Sequence, residues 1–259
     1  MYSNPRIRTA LLVLPVTLLA LAGCAPADST TTADAHGGDP GASWSYEGDG
    51  APEHWGALSD EYGTCSSGSE RSPVDLPAPK RGCALDITAA GAVAGLTADN
   101  GHTVQFTPDD GARTRVAGAD LHLVQMHFHA GSENTVAGEA AAAEFHFVHA
   151  DDDGALTVLG VLADQGRHNP VYESYVAGAT AGAGRASTVD VDRMLPEGRS
   201  FATYAGSLTT PPCTEGVRWI VLEDRVELGA DQLADLEAAH VENARPVQPL
   251  GDREVVHAL

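Results

Sequence analysis

The chain has 259 residues, 43% of them hydrophobic and only 5% aromatic, with a formal net charge of −21 at pH 7. That is enough apolar material for one sizeable core, while so acidic a body makes nucleic acid and anionic membrane surfaces poor partners. Ala and Gly are abundant and mute the hydrophobic periodicity, so short motifs carry more of the reading.

Arg6 and Arg8 precede a largely apolar run over residues 10–20, which ends in Leu21-Ala22-Gly23-Cys24. A basic start, a short apolar run and small residues before a cleavage point make an export signal, too short to be read first as a membrane span. Its end resembles a bacterial lipoprotein box, which makes residues 1–23 a signal peptide and Cys24 the lipidated residue. The chain is then exported and lipid-anchored on the outer face of the bacterial cell membrane, or periplasmic if the host has an outer membrane. Residues 24–42 are rich in Ser, Thr, Asp, Gly and Pro without an apolar period, and read as a disordered tether. An oxidising compartment permits a disulfide among Cys65, Cys83 and Cys213, and these residues alone leave three pairings open.

The folded domain is expected over residues 43–259. Residues 43–56 hold Trp44, Tyr46 and Trp55 among glycines and Pro52, a loop pinned to the body by its aromatics. The chain stays irregular to residue 79. From residue 86, short strand-like runs recur between Gly, Asn and Asp turns: 102–107 after the turn dipeptide Asn100-Gly101, then 114–117, 121–129 and 143–149. Residues 156–163 are almost wholly apolar, which suits a strand buried on both faces, and 217–222 read the same way. Asn169-Pro170 offers an N-cap and a first helical position, and residues 231–240 form a second helix candidate.

Chemistry concentrates in residues 121–149. His127 and His129 alternate with Phe128 and so share one face of a strand. If the next strand lies alongside, His146 completes a cluster of three imidazoles, the donor set of a catalytic zinc with one open position. Gln125 and Glu144 each stand two residues before a histidine on the same face, placed to hold its outer ring N–H.

Several separate motifs, in order, then resemble the α-class carbonic anhydrases over about residues 44–250: Trp44-Ser45-Tyr46, Pro52-Glu53-His54-Trp55, Ser72-Pro73-Val74-Asp75, Asn100-Gly101-His102, Gln125 to His129, Ser132 to Thr135, Glu144 to His149, Gly206 to Pro212 and Asn243-Ala244-Arg245-Pro246. The resemblance implies a mainly β single domain with a few short helices, around a large, twisted, mostly antiparallel sheet of about ten strands. It implies reversible hydration of carbon dioxide to bicarbonate, with Zn2+ on His127, His129 and His146. Gln125 and Glu144 are implied as partners of His127 and His146, and His129 is expected to use a backbone carbonyl. Thr209 matches the threonine that orients the nucleophile, Glu133 the acid that accepts the threonine's proton, and His102 the proton shuttle. Tyr46, Asn100 and Gln105 match groups of the water network, with Gln105 where many relatives have Asn. Val148, Val158, Leu208, Thr210 and Trp219 line the substrate site. Cys65 and Cys213 occupy positions that are often bridged in secreted relatives.

His54, His168, His240 and His257 carry no case for catalysis at this level, and His122 and His149 read as structural. A binding module that has lost a zinc histidine is disfavoured by the intact trio with Thr209 and Glu133. A metal-dependent β-barrel oxygenase would leave the Thr209-Thr210 loop unexplained. Monomer and homodimer both remain open.

Overall fold

A computed structural model describes residues 43–80, 84–181 and 184–257. The signal peptide, the tether, lipidation at Cys24 and the odd Cys83 lie outside the described residues. The described residues fall in a compact unit spanning 34–259. None of their helices is long and apolar enough to cross a membrane.

The frame is an 11-stranded sheet. From one edge, neighbours run Arg185–Asp190, Ala92–Asp99, Val104–Pro108, Ala119–Ala130, Ala143–Ala150, Leu156–Gln165, Glu215–Leu228, Phe201–Ser207 and Val256–His257. Ala112–Val116 pairs with the first part of Ala119–Ala130 and carries the short Ile87–Thr88 strand. All these pairs are antiparallel except Leu156–Gln165 with Glu215–Leu228. The mainly β expectation agrees with this, with 11 strands in place of about ten.

The two faces of the sheet bury different cores. One carries the large cluster that includes Val104, Phe106, Phe128, Phe145, Phe147, Leu159 and Tyr175. The other buries Val74, Val148, Val158, Leu162, Tyr204, Val217 and Trp219. Every residue from Thr157 to Ala163 is buried, as two covered faces require.

Two local expectations need correction. The helix expected to open at Asn169-Pro170 begins at Glu173. Asn169 is held otherwise: its Oδ1 accepts from Val171 N, and its backbone N–H and C=O are both bound by the Gln232 side chain at 2.8 Å. An Asx-type turn clamped by a neighbouring helix wins over the capping signal. The irregular region before residue 79 contains the helical turns Trp55–Leu58 and Thr64–Ser67, too short to show a period. Its aromatics pack as expected: Trp44, Tyr46 and Trp55 meet edge to face, and Trp55 Nε1 donates to the carbonyls of Ser45 and Gly50.

His149 lies on the large-core side and is fully buried. Its Nδ1 is 2.9 Å from the Phe147 carbonyl, and its Nε2 has no polar partner among the described residues. Burial pushes its pKa down from 6.5 to about 4, the Phe147 carbonyl opposing. In the unfolded chain the ring titrates near its ordinary value. Between those two values the unfolded chain binds more protons, so stability falls as pH drops through that window. The loss is about 2 kcal/mol between about pH 7 and about pH 5. Urea unfolding at both pH values checks this: His149→Leu should remove most of the difference, and an unchanged acid slope would contradict it.

Candidate metal centre

The site is built on the pairing of Ala119–Ala130 with Ala143–Ala150. His127 stands opposite His146 and His129 opposite Glu144. Directly opposed residues of an antiparallel pair share a face. His127, His129, Glu144, His146 and Val148 therefore converge on the side of the smaller core. The next strands extend the surface in register, with Val158 opposite Val148 and Trp219 opposite Val158. Gly160 faces His146, where a Cβ would come within 2.9 Å of Glu144 Oε1. The absence of a side chain there lets the carboxylate reach its histidine.

All three histidines are buried, and one ring nitrogen of each lies within 4.8 Å of the others. The remaining nitrogens meet acceptors. His127 Nδ1 is 2.8 Å from Gln125 Oε1, His129 Nδ1 is 2.6 Å from the Asn243 carbonyl, and His146 Nε2 is 3.2 Å from Glu144 Oε1. A carbonyl or carboxylate oxygen only accepts, so each outer nitrogen carries the proton. The lone pairs of His127 Nε2, His129 Nε2 and His146 Nδ1 are then left for a shared cation. Three neutral nitrogen donors from two rigid strands suit a tetrahedral divalent ion with one position open.

Glu144 is fixed in turn by the Asn134 backbone N–H at 2.7 Å and the Asn134 side-chain amide at 2.8 Å. Asn134 Oδ1 accepts from Val74 N and the Tyr204 hydroxyl. Burial pushes the His146 pKa down, but Glu144 and Glu133 outweigh it and raise the balance. Glu133 is buried beside the cluster, its Oε2 3.4 Å from His129 Nε2, and its Oε1 accepts from Arg245 N at 2.8 Å. Burial lifts the Glu133 pKa to about 7, against the pull of His146, Arg245 N and a hydrogen bond from the Thr209 side chain. A divalent cation among the imidazoles favours its ionised form.

A cleft beside the imidazoles is lined by Gln125, His127, His146, Val148, Val158, Leu208, Thr209, Thr210 and Trp219. Trp219 is locked by its Nε1 donating to the Ser207 carbonyl and meets His146 edge to face at 4.9 Å. His102 lines a separate outer cavity of about 520 Å³, with Tyr46. Its ring stacks on Trp44, centroids 3.6 Å apart. Asn100 Oδ1 accepts from His102 N and Thr103 N, and its amide donates to Gln105, so these two polar side chains hold the turn. Gln105 stands opposite His127 across the sheet. Cys65 and Cys213 form a disulfide.

Set against known proteins, the family profile for eukaryotic-type carbonic anhydrase matches residues 50–259. The chain belongs to the α-class carbonic anhydrase family. The carbonic anhydrase of Klebsiella pneumoniae is 39% identical over 221 residues, covering 82% of this chain and 90% of that protein. The carbonic anhydrase of Neisseria gonorrhoeae is 38% identical over 220 residues, covering 82% and 87%. Among solved structures, the α-carbonic anhydrase of Thermovibrio ammonificans, in complex with the inhibitor sulfanilamide, is 40% identical with a TM-score of 0.77, covering 83% of this chain and 99% of that one. These are enzymes whose general reaction is carbon dioxide hydration, and the disulfide here points to an extracytoplasmic protein.

Asn243 and Arg245 matter more than their motif suggested. Besides its carbonyl on His129, Asn243 uses its side chain to bind Ala130 N and the carbonyls of His102 and Phe128. Arg245 is buried, donates to the carbonyls of Ser72 and Cys65, and lies over the Trp55 ring. The signal available in sequence was the Asn243-to-Pro246 string itself, which carries no chemistry until the fold brings it against the imidazoles.

Proposed function

We propose that the chain hydrates carbon dioxide reversibly to bicarbonate and a proton, with one zinc ion held by His127, His129 and His146. The convergence of three inward ring lone pairs, each set by an acceptor on the outer nitrogen, carries this reading. When bound, zinc acidifies a coordinated water to near neutrality, as is general for carbonic anhydrases, and so supplies hydroxide at physiological pH.

The chain's own residues do the rest. Thr209 donates to the Glu133 carboxylate, so its oxygen is left to accept from the nucleophile and aim it. Val148, Val158, Leu208 and Trp219 offer a linear, uncharged substrate an apolar wall, with Thr210 at its edge. A proton must leave in each turnover, and the His102 imidazole is the group to carry it, with Tyr46, Asn100 and Gln105 bordering its water path. Burial lowers the His102 pKa from the ordinary imidazole value, with His240 adding to the effect and Asp99 opposing it.

The decisive experiment is stopped-flow hydration of carbon dioxide alongside metal analysis. About one zinc per chain is expected. His102→Ala should keep the zinc and kcat/KM but lower kcat by roughly 100-fold in weak buffer, with recovery on adding imidazole. A redox iron in place of zinc would overturn the assignment. The export and Cys24 anchoring read from the sequence belong to the same proposal; Cys24→Ala should move the protein from the membrane fraction to the soluble one.

A further inference from the structure

The outer cavity contains a second imidazole. His240 follows the Ala230–Ala239 helix, and its Nε2 lies 2.8 Å from Asp99 Oδ1. Asp99 ends the Ala92–Asp99 strand, and the same oxygen accepts the Gly101 N–H at 2.7 Å, one residue before His102. His102 and His240 line the same cavity, and neither lines the inner cleft. The two rings come from segments that Asn243 also joins, since its amide binds the His102 carbonyl while its backbone carbonyl holds His129.

We propose that the Asp99–His240 pair is the outer station of the proton path: His240 receives the proton from His102 across the shared cavity and releases it to solvent buffer, with Asp99 holding its ring. This rests on the carbonic anhydrase reading above.

Placement, charge and proton accounting support it. His102 is fixed against Trp44 on the wall of the cavity that His240 also borders, so both rings face one solvent-sized space. The charged and titratable groups around His102 are Asp99 from the strand end and His240 from the turn after the helix, with Glu47 and Tyr46 in the cavity wall. Burial and His240 both work against a proton on His102. His240 has what His102 lacks, a carboxylate hydrogen-bonded to its ring, which turns a protonated His240 into a charge-assisted pair. The side chain of His240 is only 15% exposed, while Asp99 is 45% exposed and open to buffer. The path therefore leads from His102 on the cavity wall to a ring held by a solvent-open carboxylate. His102 loses one proton to His240, His240 loses it to a buffer base, and both rings return neutral with no other reactant consumed. An ordinary surface His–Asp pair would contribute little to stability and nothing to turnover.

The test uses the full, zinc-loaded chain and compares wild type, His240→Gln and Asp99→Asn, with His102→Ala as reference. Carbon dioxide hydration is followed in weak buffer and in concentrated imidazole, and the His102 ring is titrated by NMR. His240→Gln should lower kcat in weak buffer by about threefold to tenfold, less than the roughly 100-fold of losing a whole acid–base group. It should leave kcat/KM and zinc content unchanged and be rescued by imidazole. The His102 titration midpoint should rise once the His240 ring beside it is gone. Asp99→Asn should lower kcat in the same selective way. Unchanged kcat in weak buffer for both variants overturns the proposal. So does a fall in kcat and kcat/KM together without rescue, which marks a structural role. The parent reading fails differently: wild type would show no zinc-dependent hydration, or His102→Ala would keep full kcat, and this station falls with it.

Discussion

His146→Ala is expected to lose zinc and carbon dioxide hydration together. His146 is fully buried, and its Nδ1 sits 3.3 Å from His127 Nε2 at the centre of the donor set. Two imidazoles cannot complete a closed set of three, and water in the vacated space is a weaker, unheld ligand. Removal also strips Glu144 of its imidazole partner, leaving that buried carboxylate with only the Asn134 donors. Losing one donor to a buried carboxylate costs about 1–3 kcal/mol, so the thermal midpoint should fall as well. His146→Gln separates the two effects, since its amide can still donate to Glu144 while lacking the imidazole lone pair. It should recover part of the stability and none of the activity. Zinc stoichiometry, thermal melts and hydration assays check this. Retention of one zinc per chain in His146→Ala would contradict the donor assignment.

How much of this could be read from sequence follows from where each interaction lives. The imidazole cluster was legible because strand alternation has a period of two, which puts His127 and His129 on one face whatever surrounds them. Gln125 and Glu144 were legible for the same reason. The acceptor for His129 was not, because a backbone carbonyl leaves no residue signature; Asn243 was recognisable as part of a motif but its function was not. Asn134, read only as part of the Ser132-to-Thr135 string, turns out to be the amide that grips Glu144. His240 was passed over because nothing local links position 240 to Asp99, 141 residues away. The Asn169 helix start failed on a contact from Gln232, 63 residues away. Local patterns predicted strands and same-face neighbours, whereas side-chain contacts made across the chain needed the fold.

Opening the Cys65–Cys213 bridge should be the largest purely structural perturbation. The bond joins positions 148 residues apart, and both cysteines are buried in a cluster with Trp44, Trp55 and Tyr62. A cross-link closing so long a loop removes about 5 kcal/mol of chain entropy from the unfolded state, an upper bound that native relaxation reduces. At roughly 2–4 °C per kcal/mol for a domain of this size, the melting midpoint should drop by about 10–15 °C. The functional consequence comes from geometry. Cys213 N donates to the Thr210 carbonyl at 2.8 Å, so the bridge tethers the loop that carries Thr209 and Thr210. On the other side, the Cys65 carbonyl receives Arg245, whose own backbone N–H fixes Glu133. The bond thus braces both members of the Thr209–Glu133 pair from opposite ends. Cys65→Ala with Cys213→Ala should therefore lower kcat/KM at temperatures well below its own melting point, with zinc content unchanged, because the imidazoles stand on strands the bridge does not touch. A variant that melts lower yet keeps wild-type kcat/KM would show that the bridge stabilises the fold without positioning Thr209.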